Sequence, residues 1–125
     1  MGLVKARGWI GRDREHLHEM EFLVDTGSFY TLLPPHRAAA LGIALPLTGP
    51  VVLADRRTVS IPLDMAYLRL QEREAAIPVG VSEVPMPLLG VTALEALGLA
   101  VDPVSGRLEP TRPFGPAALG QVPPP

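Results

Sequence analysis

The sequence predicts a mainly β protein of one domain with one or two short helices, and three observations support this fold class. Apolar residues recur with a period of two in short runs bounded by glycine, proline or charged residues. Only HRAAALG and VTALEALG have the pattern of a short helix closed by glycine. A chain of 125 residues is long enough for one hydrophobic core and leaves little room for a second.

The strands are predicted in order along the chain. GLVKARGWIG and HLHEMEFLV are expected to form a first hairpin, with Trp9 in the core, and TLL precedes two prolines that end the strand. GPVVLADRRTVSIPL predicts a second hairpin that turns at residues 55–57, and AYLRLQEREAAIPVGV predicts a third that turns near residues 72–74. LAVDPVSGRLEP predicts a last hairpin around residues 103–106.

The end of the chain differs in composition from the rest. The stretch TRPFGPAALGQVPPP, residues 111–125, is dense in proline and has no strand or helix periodicity. We therefore expect residues 1–110 to form the folded domain and residues 111–125 to be a flexible tail.

Composition also limits the partners. The formal net charge is −2, which gives no sign of a basic face for nucleic acid or for a membrane of acidic lipids. The chain has no cysteine, which excludes disulfides and thiolate-bound metals. Charges are scattered through the first twenty residues, and no segment has about 18 consecutive apolar residues. We expect a soluble, cytoplasmic protein without nucleic-acid or membrane partners.

A metal site is conceivable in the first hairpin but is not expected. His16 and His18 alternate on one predicted strand and would face the same side, with Glu15 and Glu19 nearby. A site at a turn without a third fixed ligand is poor, so an ordinary exposed hairpin is the preferred interpretation.

The stretch FLVDTGS places an acid directly after an apolar strand. An isolated aspartate in such a position is usually a turn residue or a helix cap. Here Gly27 is expected to turn with positive φ and to leave space in front of the Asp25 carboxylate. The hydroxyls of Thr26 and Ser28 can hold the loop and hydrogen-bond a carboxylate oxygen. The combination favours a preorganised acid over a simple turn.

Two motifs together resemble those of a known family. LVDTGS before an apolar run, and PLLG leading into ALEALGL, resemble the retroviral-type (retropepsin-like) aspartic proteases, especially their single-domain microbial members, over residues 2–109. The resemblance implies a closed, barrel-like acid protease fold with one lobe per chain. It also implies an aspartic endopeptidase that acts on a peptide or protein substrate without metal or cofactor. Leu88, Leu89 and Gly90 would form a second glycine loop of the site.

The family chemistry needs two carboxylates that share one proton, because two like charges so close together cannot both ionise. The chain has a single Asp-Thr-Gly, so the second Asp25 must come from another copy in a two-fold homodimer. The resemblance implies that one Asp25 activates a water while its partner protonates the scissile carbonyl. Thr26 would hydrogen-bond across the dimer, Gly27 would face the substrate backbone, and Ser28 would support the outer carboxylate oxygen.

The hairpin VVLADRRTVSI occupies the place of the flap that closes over a peptide in this family. The resemblance implies that Leu53, Ala54, Asp55, Arg56 and Arg57 lie over the substrate. For the two arginines, a solvated turn without substrate contact is the alternative.

Two rival functions remain open from the sequence. One is a peptide-binding or dimerisation module that keeps the protease fold without turnover. The other is an unrelated β-barrel binding domain in which the Asp-Thr-Gly occurs by chance.

Overall fold

The computed structural model describes residues 3–53 and 55–113, and these residues form mostly β structure with two short helices, as predicted. The strands are β1 (Lys5–Gly11), β2 (Leu17–Val24), β3 (Thr31–Leu33), β4 (Leu47–Val52), β5 (Thr58–Leu70), β6 (Arg73–Val81), β7 (Leu88–Leu89), β8 (Leu99–Asp102) and β9 (Arg107–Pro110). The helices are α1 (Pro35–Leu41) and α2 (Val91–Leu97).

The larger sheet closes on itself. Its strand order is β1-β2-β7-β3-β6-β5-β4, and β1 also pairs with β5 in the register Trp9↔Arg69. The pairing of β1 with β5 removes the open edges that those strands would otherwise expose. The predicted barrel-like architecture is therefore confirmed, with β4 extending the sheet beyond β5.

Each predicted hairpin is present, but the turn between β5 and β6 begins one residue before the predicted residues 72–74. It is made by Gln71 and Glu72, whose φ angles are 51° and 62°. A two-residue turn with positive φ at both positions matches the twist of the strands it joins. This turn has none of the asparagine or glycine that normally marks such a turn, so the prediction placed it slightly too late in the chain.

Both helices end where the sequence predicts. Gly42 follows α1 with φ 70°, and Gly98 follows α2 with φ 67°. Glycine adopts this left-handed conformation without the penalty that a Cβ brings. No helix in residues 3–53 and 55–113 combines the length and apolar character needed to cross a membrane.

The core fills the barrel and continues under α2. The largest fully buried apolar side chains are Phe22, Ile10, Leu33, Leu68, Leu70, Ile77, Leu89, Leu97 and Val79. A second, smaller cluster of Leu32, Ile61 and Leu63 lies at the base of the β4–β5 hairpin and packs against Tyr30 and Val84.

Trp9 is not part of this core. Its side chain is 38% exposed, and the Arg69 guanidinium lies 5.4 Å from its ring centroid. Side chains alternate between the two faces of a strand, and in β1 the interior face is taken by Gly8 and Ile10. The prediction of a core tryptophan was therefore wrong.

The chain after β9 returns to α2. Thr111 N donates to Gly98 O at 2.8 Å, and an Arg112 guanidinium nitrogen donates to Ala96 O at 3.2 Å. Arg73 donates to Arg112 O at 2.9 Å. Thr111 and Arg112 are thus bonded to the domain, and residues 114–125 of the predicted tail lie outside the described residues.

Candidate active site

Asp25 lies where β2 ends, beside the second glycine loop. β7 pairs in parallel with β2 in the register Val24↔Leu89, and Asp25 N donates to Leu89 O at 2.9 Å. On its other side β7 pairs with β3 through Leu88 and Leu32. The two motifs, far apart in the sequence, are therefore neighbours in the sheet.

The tight turn of the loop after Asp25 is held by local hydrogen bonds of its backbone and side chains. Gly27 N donates to Asp25 Oδ1 at 3.0 Å, and Ser28 N donates to Asp25 O at 3.1 Å. The Ser28 hydroxyl donates to Tyr30 O at 2.7 Å, so its proton serves the loop and is not directed at Asp25. The half-buried carboxylate is held by the backbone before any substrate arrives.

Gly27 differs from its prediction. The positive-φ glycines among the described residues are Gly42, Gly98 and Gly106, so a left-handed Gly27 was a wrong expectation. A Cβ added at Gly27 would meet Asp25 Oδ1 at 3.3 Å, which is a tight contact. Glycine at this position instead keeps the space around the carboxylate open.

Thr31 joins the acid loop to the second glycine loop, and the sequence reading missed it. Its side chain is fully buried, and its Oγ1 accepts a hydrogen bond from Gly90 N at 3.1 Å. Val91 N donates to Ser28 O at 2.8 Å. A Cβ at Gly90 would lie only 2.3 Å from Tyr30 O, so only glycine fits there. Nothing in the local sequence distinguishes Thr31 from an ordinary strand threonine.

The Asp25 carboxylate opens into a cleft of about 710 Å³. Its lining comes from Asp25, residues 27–30, residues 50–53, residues 82–84 and two leucines, Leu32 of the smaller core cluster and Leu88, which packs against that cluster. This size is within the usual range for a ligand site, and most of the lining side chains are apolar. Sequence reasoning named Leu53 and Leu88 here but missed the aromatic pair Phe29 and Tyr30, whose ring centroids are 5.1 Å apart.

The tip of the β4–β5 hairpin is closed by its own contacts. The Asp55 carboxylate accepts hydrogen bonds from Arg57 N at 3.0 Å and Arg57 Nε at 2.6 Å, which hold the pKa of Asp55 below its usual value. Arg56 has φ 69°. Of the predicted flap residues, Leu53 lines the cleft, whereas Asp55, Arg56 and Arg57 are not in its lining. Ala54 lies outside the described residues.

A second depression of about 710 Å³ lies against the acid loop and does not include Asp25. Thr26 contributes to it, together with Leu94 of α2 and with Leu99 and Val101 of β8. Within the described residues β8 pairs with β9 alone, so its other edge has no strand partner. The loop therefore presents Asp25 to the cleft and Thr26 to an apolar surface beside an open strand edge.

The histidines of the first hairpin do not share a strand as predicted. β2 begins at Leu17, and His16 lies in the turn before it, with Nδ1 2.6 Å from Asp13 Oδ1. This contact lowers the pKa of Asp13. In the part of the chain that the structure describes, no three His, Asp or Glu side chains are grouped closely enough to hold a metal ion.

The barrel and the acid loop at its strand end define a protein with the retropepsin-like fold, and comparison with solved structures agrees. The chain is similar to EIAV protease, solved in complex with the inhibitor HBY-793, with a TM-score of 0.60 and 16% sequence identity. The match covers 78% of this chain and 89% of that protease chain. No family model and no curated protein sequence matches the chain. At this identity the similarity establishes the fold.

Proposed function

We propose that the protein is an aspartic endopeptidase, a single-domain enzyme of the microbial retropepsin-like kind, that works as a homodimer. The observation that carries the proposal is the position of Asp25. Its carboxylate is held by Gly27 N at the wall of an apolar cleft, and the adjacent Thr26 lines an apolar depression. The substrate would thus bind on the side of the loop that carries Asp25, and a second copy of the chain would bind on the side that carries Thr26.

The chemistry follows from two such loops meeting. Two Asp25 carboxylates in contact share one proton, because both cannot be ionised at that separation. The ionised carboxylate takes a proton from a water held between the pair, and that water attacks the scissile carbonyl carbon. The neutral carboxyl protonates the carbonyl oxygen, which gives a tetrahedral diol. As the C–N bond breaks, the carboxyl that took the water's proton passes it to the leaving amine, and the other carboxylate takes a proton from the diol, so that the pair again holds one proton. The net reaction is addition of water across one peptide bond.

The second copy would cover the depression that Thr26 lines. A two-fold axis beside Thr26 brings the two acid loops together, and it also brings Leu99 and Val101 of each copy to the interface. The open edge of β8 can then pair with its counterpart, which satisfies backbone groups that otherwise face solvent. The homodimer therefore completes the site and buries the apolar surface in one step.

The proposed activity is tested by incubating the protein with a diverse peptide library, beside the variants Asp25→Asn and Asp13→Asn. Asp13 lies in the β1–β2 turn away from the cleft, so its variant removes one carboxylate as a matched control. Cleavage by the parent and by Asp13→Asn, and none by Asp25→Asn, is the expected result. Cleavage that survives in Asp25→Asn would place the chemistry on other residues.

Two further outcomes would count against the proposal. If sedimentation at micromolar concentration shows monomer alone, no second Asp25 carboxylate would be available for the proposed reaction. Binding of library peptides without cleavage at any pH would favour the peptide-binding module on the same fold.

A further inference from the structure

The charged side chains of the cleft are all acidic. Among the described residues that line it, Asp25 and Glu83 carry charge and no lysine or arginine is present. Asp25 is assigned to the chemistry, which leaves Glu83 without a role. A carboxylate in the wall of a site that is otherwise mostly apolar is a candidate determinant of specificity.

The backbone around Glu83 is fixed, although its side chain is exposed. Ser82 N donates to Leu33 O at 3.2 Å, and Val84 N donates to Ser82 O at 2.8 Å. Val84 also packs on the core cluster at the base of the β4–β5 hairpin. The backbone that carries Glu83 is therefore held at the wall of the cleft, which limits its carboxylate to the part of the cleft that the side chain can reach.

Glu83 has no cation beside it among the described residues, unlike some other acids of the protein. Glu74 pairs with Arg14, and Asp55 pairs with Arg57. Within the described residues Glu83 makes no ion pair or hydrogen bond through its side chain. Its carboxylate belongs to a residue in the lining of the cleft and is therefore available to a group that enters the cleft.

We propose that Glu83 forms a subsite for a basic side chain, so that the preferred substrates carry lysine or arginine close to an apolar stretch that spans the cleaved bond. This inference rests on the proposed function, because it concerns the substrate of the same cleft. A lysine or arginine stem is apolar and can pack on Val84 and Leu88 while its charged end reaches Glu83.

The homodimer strengthens the effect. Each copy contributes one Glu83, and the two Asp25 residues hold one proton between them, so the whole cleft carries net negative charge. Such a cleft attracts basic peptides over acidic ones and raises their rate of association, most of all at low salt. For an exposed pair of charges the gain is up to about five-fold at each subsite.

The test uses one peptide that the parent cleaves, resynthesised with lysine, norleucine or glutamate at each position near the cleaved bond. Norleucine keeps the apolar stem of lysine and removes its charge. The enzymes are the parent, Glu83→Gln and Glu83→Lys. Glu72→Lys is the matched control, because Glu72 lies in the β5–β6 turn and is not in the lining of the cleft.

The expected result is a kcat/KM for lysine about two- to five-fold above norleucine at one or more positions in the parent. The ratio should fall to about one in Glu83→Gln, and glutamate should be favoured in Glu83→Lys. The control should keep the parent's preference, and high salt should reduce it. A preference that is absent in the parent, or that Glu83→Lys leaves unchanged, would overturn the proposal.

Failure of this inference is distinguishable from failure of the proposed function. If the parent cleaves no peptide, the same lysine, norleucine and glutamate series is applied to library peptides that bind the Asp25→Asn form, with affinities measured by fluorescence anisotropy. A lysine preference that reverses with Glu83→Lys would still support the subsite. Equal affinities across the series, or no binding at all, would refute it.

Discussion

Replacing Thr31 by valine tests the bond that ties the acid loop to the second glycine loop. Valine has nearly the same shape as threonine but cannot accept the hydrogen bond from Gly90 N, which measures 3.1 Å. Thr31 is fully buried, so water cannot take the place of the lost hydroxyl without a rearrangement. The Gly90 N–H would be left unpaired beside the loop that carries Asp25.

The expected cost is that of one buried donor without a partner, about 1–3 kcal/mol. A loss of about 2 kcal/mol lowers the urea midpoint by about 1 M when the m-value is about 2 kcal/mol/M. Thr92→Val is the matched control. Thr92 Oγ1 is buried and has no hydrogen-bond partner in the part of the chain described, so losing it should be neutral or stabilising.

Both variants are compared with the parent by urea unfolding at one protein concentration, because the proposed dimerisation would make the apparent stability depend on concentration. We expect Thr31→Val to lose stability and also peptide cleavage, since Gly90 would no longer anchor the loop. Equal midpoints for Thr31→Val and Thr92→Val would refute the reasoning, because the two variants remove the same hydroxyl group and differ in whether it has a partner.

Three other predictions follow from the same structure. Cleavage should rise and fall with pH, with an optimum on the acidic side of neutral, because it needs one proton on the Asp25 pair; Asp25→Asn should melt no lower than the parent near pH 7, and a lower melting temperature would argue against paired carboxylates. A chain ended at Pro113 should match the parent in urea, whereas a chain ended at Pro110 should be less stable because it lacks the bonds of the next two residues to α2; equal stability of the two would show that those bonds are unimportant. The Asp55 carboxyl has a lowered pKa because Arg57 N and then its guanidinium donate to it. These hydrogen bonds should therefore stabilise the hairpin tip at pH values above the carboxyl's unfolded pKa, near 4, and this stabilisation should be lost as the pH falls through the lower folded value. An NMR titration in which the Asp55 carboxyl matches a model peptide would contradict this prediction.

The strands were predictable because their signal is local. Period-two runs require only that one face be buried, and most strand runs from residues 3 to 110 are bounded by typical turn residues. The exceptions have local reasons too. Gln71 and Glu72 turn with positive φ without any residue that favours it, and Trp9 fits either face of a strand until its neighbours are known.

The acid itself was predictable, but its setting was not. Asp25 could be recognised from the sequence because the carboxylate and the nearby glycine, both of which the site needs, lie within one short segment of the chain. Thr31, Phe29 and Glu83 carry no such local mark. Each acquires its place from strands that meet across the barrel, as when Gly90 N reaches Thr31 Oγ1 over a separation of 59 residues.

The sequence alone determined that the chain is a β domain with one acid loop, and that it carries a single Asp-Thr-Gly, whereas the proposed reaction needs two carboxylates. Those properties depend on residue type and order. The β structure follows from local propensity, and the single acid loop follows from counting the motif in the sequence. Only the tertiary structure decided that β7 lies between β2 and β3 and that Glu83 lies in the cleft wall. It also decided that Asp25 of the acid loop lines the cleft, whereas Thr26 of the same loop lines an apolar depression. These placements depend on contacts between distant segments, whose free energies are realised only when the whole sheet has closed.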